Sequence, residues 1–553
     1  VFSTLPITRN RDARNFFFAT VLVSVVLVAW LDSLRDEGGA IGFSFIFMKL
    51  LVQEDLAALM WMLLTLAALM LVPAWPGARR FAAAVASRPW TVCLLTAAAL
   101  SASSLLVYQA HPLSMDEYAQ VFQSQVFASG HLTGRFPLDV MNWLIPPQFQ
   151  NIFLRVSPAT GAVVSAYWPS FALLLAPFSW LGIPWACNPV LSALTIAAVR
   201  KLALALFGSL EAAGIAMLLT LASPVFFADG ISFYTMTAHM LLNCVFMLLL
   251  LAPTPWRLFL AGAVGAVALT LHNSLPHTLF ALPWIVWLAV RGTNVRGLAC
   301  LAAGYLSLGL PLLVGWAWFS YELMHQGVAA ASADQVKTLG SLLTWPTFQT
   351  LLSRLMGMAK VWIWAVPGLP LLACIGAWRR RGDLHCLLLA ASAVLTFAGY
   401  LFFRPDQGHG WGFRYFHSAW MTLPLLAAGA LARRQDDGER DLGPLVAMVT
   451  AAALLSLVVG VGVRAAQIGD YMATSLRQLP AYEGLEPRVV LINPRTTAYG
   501  GDLVQNDPFL RGDVIRLFIQ QPDEVAATMH RLRPGFHRVY SDKHGEVWSA
   551  AGH

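Results

Sequence analysis

The chain reads as an all-α polytopic membrane protein of about 13 transmembrane helices, with an external first loop and a small external C-terminal α/β module. Three observations predict this. Of the 553 residues, 58% are hydrophobic and only 12% charged, more apolar surface than a soluble protein of this length can bury. The apolar residues form long runs with small basic clusters between them, so the formal charge of +7 follows topology signals and implies no nucleic-acid partner. After Arg464 the long runs stop. The six cysteines (Cys93, Cys187, Cys244, Cys300, Cys374, Cys386) lie in or beside apolar runs without CxxC or His/Cys ligand spacing. They read as small buried hydrophobes, with neither disulfides nor zinc implied.

Arg9, Arg11 and Arg14 precede the apolar run Phe16 to Leu31, which no small-residue cleavage site follows, so it reads as an anchor entering from the cytoplasm. Spans from Leu56 to Trp75 and from Trp90 to Ala110 then bring the chain out before Asp116. Residues 1–110 thus form a unit of three transmembrane helices and 111–167 an external catalytic loop with surface helices. Residues 168–464 form a helical core, and 465–553 a soluble external module. Within the core, Arg200-Lys201, Arg257, Arg291 with Arg296, Arg379-Arg380-Arg381 and Arg433-Arg434 mark every second connection as cytoplasmic. That alternation leaves room for one crossing between the external loop and Arg200. The run 168–186, interrupted by Pro177 and Pro184, is therefore expected to be re-entrant or interfacial, with 188–207 crossing. Further spans are expected at 211–228, 237–252, 257–272, 275–291, 297–320, 358–378, 384–403, 416–432 and 442–464. Glu117 to Ser129 has the spacing of an amphipathic helix at the membrane surface, stopped by Gly130. In the final stretch Arg488 to Ile492 predicts a strand and Pro522 to Leu532 a helix. His537 to Tyr540 and Glu546 to Trp548 predict a hairpin.

The candidate chemistry lies in the loops. Asp116 and Glu117 are adjacent carboxylates at the mouth of a membrane helix, costly unless they meet water, substrate or a basic partner. Asp116 can serve as a general base toward an acceptor hydroxyl, with Glu117 orienting the site, holding a cation or sharing the acceptor. The pair can equally cap the helix that follows, since acids are favoured at a helix N-terminus. The segment Phe403 to His417 combines glycines at 408, 410 and 412 with Arg404, His409, Arg414 and Tyr415. Glycines permit turning and close backbone approach, arginines offer paired donors to phosphate, and aromatics stack on a sugar or sit in an interfacial belt. His239, His272 and His277 stand at external span ends as candidates for lining one cavity, without the spacing of a zinc site. Lys337 is a candidate phosphate contact.

Met115-Asp116-Glu117-Tyr118 is followed by Gly130-His131-Leu132 and Ser157-Pro158-Ala159-Thr160-Gly161. Tyr167-Trp168-Pro169-Ser170 then runs on into Leu173-Leu174-Leu175-Ala176-Pro177-Phe178. From the span before Asp116 to about residue 425, this order resembles the C-type glycosyltransferase superfamily, in the branch of protein O-mannosyltransferases and lipid A aminoarabinose transferases. The resemblance implies inverting transfer of a sugar from a polyprenyl-phosphate carrier on the external face of a bacterial inner membrane, with the loop aspartate as base. That role carries over to Asp116, and beside it to Glu117. The partners implied are the lipid-linked donor, membrane lipids, and an envelope glycan, lipid or protein as acceptor. No cofactor is assigned, and a divalent cation remains open. Two features depart from the family: two extra spans precede the one leading to Asp116, and His272-Asn273 stands where many relatives carry an arginine. Phosphate contacts are therefore assigned from chemistry to Arg414, Arg404 and Lys337. The stretch Asp502 to Leu510 matches no acceptor-binding domain. The rival class is a transporter or flippase of a lipid-linked or anionic substrate. Such proteins favour internal repeats and midplane charges, whereas the ionisable residues here cluster at external ends and no two halves match.

Overall fold

The computed structural model describes residues 10–35, 45–71, 75–292, 295–325, 343–405, 407–408, 410–433, 441–484 and 486–550. The apolar runs are largely helical, which pairs most backbone polar groups within their own segment. Among the described residues seven helices are long and apolar enough to cross a membrane. They are Arg11–Ser33, Ile46–Leu69, Pro89–Leu106, Pro184–Phe207, Val295–His325, Leu384–Phe402 and Gly443–Leu476. The pair Leu210–Leu221 and Pro224–Ile231, bent by 62°, is an eighth if it forms one span. Six further apolar helices have only 10–17 residues, among them Met236–Leu250 and Thr422–Leu431. The described chain thus carries fewer full-length apolar helices than the 13 spans read from its hydropathy.

Individual runs differ from expectation for local reasons. The run 358–378 is two helices, Phe348–Ile363 and Leu369–Arg379, because the chain turns at Pro367-Gly368 with Gly368 at φ 78°. The run 168–186 contains an 11-residue helix, Ser170–Trp180, with Pro177 inside it, then a turn at Pro184–Ala186 leading into Cys187–Phe207. Eleven residues rise about 16 Å, roughly half a bilayer core. The final apolar helix continues past Arg464 to Leu476.

The helices Pro255–Leu269 and Val295–Gly309 cross at two glycines. A Cβ on Gly262 would lie 2.1 Å from the Leu301 carbonyl oxygen, and one on Gly304 2.0 Å from that of Phe259. Small residues let backbones meet this way where lipid gives helices no hydrophobic reason to associate. The helix Ile46–Leu69 is tied in by charge. Asp55 pairs with Lys360 and, at 2.8 Å, with Arg464, and it accepts the Trp364 indole N–H at 2.7 Å.

Two small sheets complete the fold. One has the order β1-β3-β2, from Gly134–Arg135 (β1), Leu154–Val156 (β2) and Ala162–Ser165 (β3). The other has the order β5-β4-β7-β6, from Arg488–Ile492 (β4), Val514–Phe518 (β5), His537–Asp542 (β6) and Gly545–Ser549 (β7). The strand at 488–492, the helix ending at Leu532 and the hairpin all stand where the sequence places them. The helix after Ser114 also forms, over Met115–Ala128, but it does not lie on a surface. Its polar residues Glu117, Gln120, Gln123 and Ser124 are as buried as Phe122. Met115, Tyr118, Phe122 and Val126 share one apolar core with Val489, Leu491, Ile515, Leu517 and Met529. The C-terminal sheet therefore covers this helix, and the two non-helical-bundle regions form one body.

Candidate active site

The Met115–Ala128 helix starts after Ser114, which is extended at φ −138°, ψ 167°, and whose side chain makes no capping bond. Asp116 and Glu117 occupy the first turn, where the partial positive charge of the helix favours carboxylates. Successive helical residues diverge by about 100°, so the two acids face different surroundings.

Asp116 faces a cluster of polar and aromatic groups and keeps 20% of its side chain exposed. Its Oδ2 lies 3.1 Å from Arg414 Nη1, its Oδ1 accepts the Tyr167 hydroxyl, and His272 Nε2 is 4.0 Å away. The Tyr167 and His272 rings stack at 4.2 Å. Arg414 is held from behind. Its Nη2 donates to the Gln407 carbonyl, its backbone N–H donates to Gln407 Oε1 at 3.1 Å, and its guanidinium lies 4.8 Å from the centre of the Tyr234 ring. The turn that permits this uses Gly410 and Gly412 at φ 124° and 65°, backbone conformations that side chains rarely adopt. Burial pushes the Asp116 carboxyl upward, but Arg414 outweighs it, with His272 and Tyr167 assisting, and holds the acid well below the usual carboxylate range. In return Asp116 overcomes the burial of Arg414 and raises its pKa.

Glu117 turns inward and is fully buried. Three donors converge on it: the Leu113 N–H at 2.6 Å, the Phe233 N–H at 2.8 Å and the Tyr108 hydroxyl at 2.9 Å. Burial pushes its pKa to about 7, against the pull of those hydrogen bonds. The arrangement pins the start of the helix to two other segments of the chain.

Of the residues named from sequence, the structure thus brings Asp116, Arg414 and His272 together. Tyr415, one residue on, instead stacks on Tyr400 at 4.4 Å and lies 5.0 Å from Arg354, bracing the loop. Arg404 is exposed. His277 is spent on Asn243 at 2.7 Å and Tyr305 at 2.8 Å. His239 is buried with neither ring nitrogen hydrogen-bonded among the described residues. His409 and Lys337 lie outside the described residues. Sequence reasoning missed Tyr167, Tyr234 and Asp502. Tyr167 stands in the Tyr-Trp-Pro-Ser run, and Asp502 opens a stretch whose partner could not be read locally. Among the described residues no group of three or more His, Cys, Asp or Glu side chains is arranged to hold a metal ion.

No family model and no curated protein matches this sequence. Solved structures do. The chain superposes on ArnT from Cupriavidus metallidurans bound to undecaprenyl phosphate with a TM-score of 0.52 and 13% identity. It matches the apo state of the same protein with a TM-score of 0.50 and 14% identity. Each match covers 84% of this chain and 98% of ArnT. The chain has the ArnT fold. That fold agrees with the resemblance read from the motifs around Asp116. The ArnT match leaves about one sixth of this chain uncovered.

Proposed function

We propose that the protein is a glycosyltransferase that moves a sugar from a polyprenyl-phosphate carrier to an acceptor hydroxyl, at the external face of a bacterial inner membrane. The observation that carries this reading is the Asp116–Arg414 pair, a part-exposed carboxylate and a guanidinium 3.1 Å apart, set in the fold of a protein bound to undecaprenyl phosphate. The lipid tail would lie against the apolar helices, with the sugar-phosphate head at Asp116.

In this mechanism Asp116 takes the proton of the acceptor hydroxyl as its oxygen bonds to the anomeric carbon. The bond from that carbon to the phosphate oxygen breaks in the same displacement, its electron pair stays on the phosphate, and the configuration inverts. Arg414 has two tasks. Paired with Asp116, it keeps the acid ionised in the resting enzyme. When the donor phosphate arrives, the guanidinium is shared with it, which stabilises the charge left on the carrier and makes Asp116 a stronger base. Tyr167 and His272 hold the carboxylate in place. Glu117 is assigned as an anchor of the helix, since its oxygens are turned away from Asp116 and taken up by three donors.

Reconstituted vesicles test the reading. Radiolabelled sugar supplied on a polyprenyl phosphate should become covalently attached to a new acceptor by wild type and not by Asp116→Asn. Transfer at the wild-type rate by the variant refutes the assignment. Label that crosses the bilayer while still on its carrier establishes a flippase instead.

A further inference from the structure

The parallel pair β4–β5 needs a crossover, which in most proteins is a helix packed on the same sheet. Here residues 493–513 make that connection through turns, with the four-residue 3-10 helix Gly500–Leu503 as its single helical piece. The crossover lies across the start of the Asp116 helix. Asp502 Oδ1 accepts the Met115 N–H at 2.8 Å, and Gln505 Nε2 donates to the Pro112 carbonyl at 2.8 Å. The Tyr118 hydroxyl donates to the Asn506 carbonyl at 2.7 Å and accepts the Asn506 N–H at 2.8 Å. The Pro508 carbonyl accepts the Arg135 N–H at 2.9 Å. The crossover is itself fixed to the sheet, because the Asn506 side chain exchanges two 2.8 Å bonds with the Arg516 backbone on β5.

The capping position explains why this matters to the site. Ser114 has the residue type and backbone of a helix cap, yet its hydroxyl is within 3.1 Å of the Tyr234 hydroxyl, and the Tyr234 ring supports Arg414. Asp502 takes the first N–H of the helix, that of Met115, which a side chain at the capping position does not serve, and Ser114 is left to hold the platform beneath Arg414. We propose that Asp502 is a positioning residue, through which the C-terminal module seats Asp116 against Arg414 for the transfer step. This rests on the reading of Asp116 as the base.

The groups that feel the Asp502 charge are Asp116, Tyr471 and Tyr499. Burial pushes its carboxyl to about 7, the Met115 N–H pulling it down and the Asp116 charge adding to the rise. Near neutral pH the residue therefore holds the Met115 N–H through a side-chain oxygen that need not be charged. An asparagine can supply the same acceptor.

The test uses the full-length enzyme in nanodiscs with a radiolabelled sugar on polyprenyl phosphate. Asp502→Ala should lower kcat about 10- to 100-fold, the scale on which small misplacements act, with donor KM within about threefold of wild type. Asp502→Asn should restore most of that loss. An Asn variant as impaired as the Ala variant overturns the proposal, since the charge or a proton would then be what counts. So does an Ala variant with wild-type kcat, or one whose donor KM rises as much as its kcat falls. If Asp502→Ala does not fold, Tyr118→Phe takes its place, because it loses the donation to Asn506. It should lower kcat without changing KM, and wild-type turnover overturns the clamp. Asp116→Asn, assayed alongside, separates the two readings. Its full activity would remove the base assignment whatever Asp502 shows, whereas an inactive Asp116→Asn beside a fully active Asp502→Ala overturns the clamp alone.

Discussion

Asparagine at position 116 removes one charge and one proton acceptor while keeping the shape of the side chain, and its effects on turnover and on folding separate. A positioned general base contributes about 10²–10⁴-fold, so kcat should fall by that factor, roughly 3–5 kcal/mol of barrier. Stability falls for a different reason. Two unit charges 3.1 Å apart attract by about 5 kcal/mol at an effective dielectric of about 20, and Asp116→Asn strands the Arg414 guanidinium without that partner. The double variant Asp116→Asn, Arg414→Gln leaves no unpaired charge. It should recover much of the lost thermal stability and none of the lost turnover. Both quantities are measurable on purified protein, as the midpoint of thermal unfolding and as the rate of label transfer from the lipid-linked donor. Turnover of the single variant within tenfold of wild type, or recovery of activity in the double variant, would refute the reasoning.

Four further outcomes follow from the structure. Asp116 is held well below the usual carboxylate range, so it stays ionised at working pH, and an activity limb near pH 7 is expected from Glu117, pushed to about 7. The pH–rate profile of Glu117→Gln should lose that limb, and an unmoved limb counts against the assignment. For Glu117 the folded-state value lies above the ordinary 4.5, so its contribution to stability is present below pH 4.5 and lost as pH rises to about 7. Thermal unfolding should show Glu117→Gln gaining on wild type across that window and no further above it. Asp55→Asn leaves Lys360 and Arg464 buried without their shared carboxylate and should cost about 3–5 kcal/mol, seen as lost monodispersity on heating in detergent. Tyr167→Phe removes a hydroxyl donor to Asp116, a charge-assisted bond of about 1.5–3 kcal/mol, and should lower kcat with little change in donor KM.

What could be read from the sequence was local or periodic. The strand at 488–492 and the hairpin around Lys543-His544-Gly545 followed from residue type and turn chemistry. Arg414 was named for its paired donors, in a loop whose glycines at 410 and 412 announce an unusual backbone. The break within 358–378 was also visible, as the dipeptide Pro367-Gly368, but the apolar run around it hid the signal. Contacts over long separations left no trace. Asp502 meets Met115 across 387 residues, and nothing near either residue names the other. The amphipathic pattern of 117–129 was real, yet periodicity cannot say whether lipid, water or another part of the chain covers the polar face. Here Ser165 on β3 donates its N–H to Gln123, and the C-terminal sheet closes over Tyr118 and Phe122.

The ion cluster at Asp55 also bears on how the protein is made. Asp55 lies in the second long apolar helix, and its partner Lys360 follows 305 residues later in the chain. At about 5–20 residues per second, that separation is roughly 15–60 s of synthesis. Throughout that interval a carboxylate sits in a segment bound for lipid, where a lone charge is disfavoured. The chain that neutralises Asp55 is thus made only after that interval. Assembly order, as much as final stability, is written into that one residue.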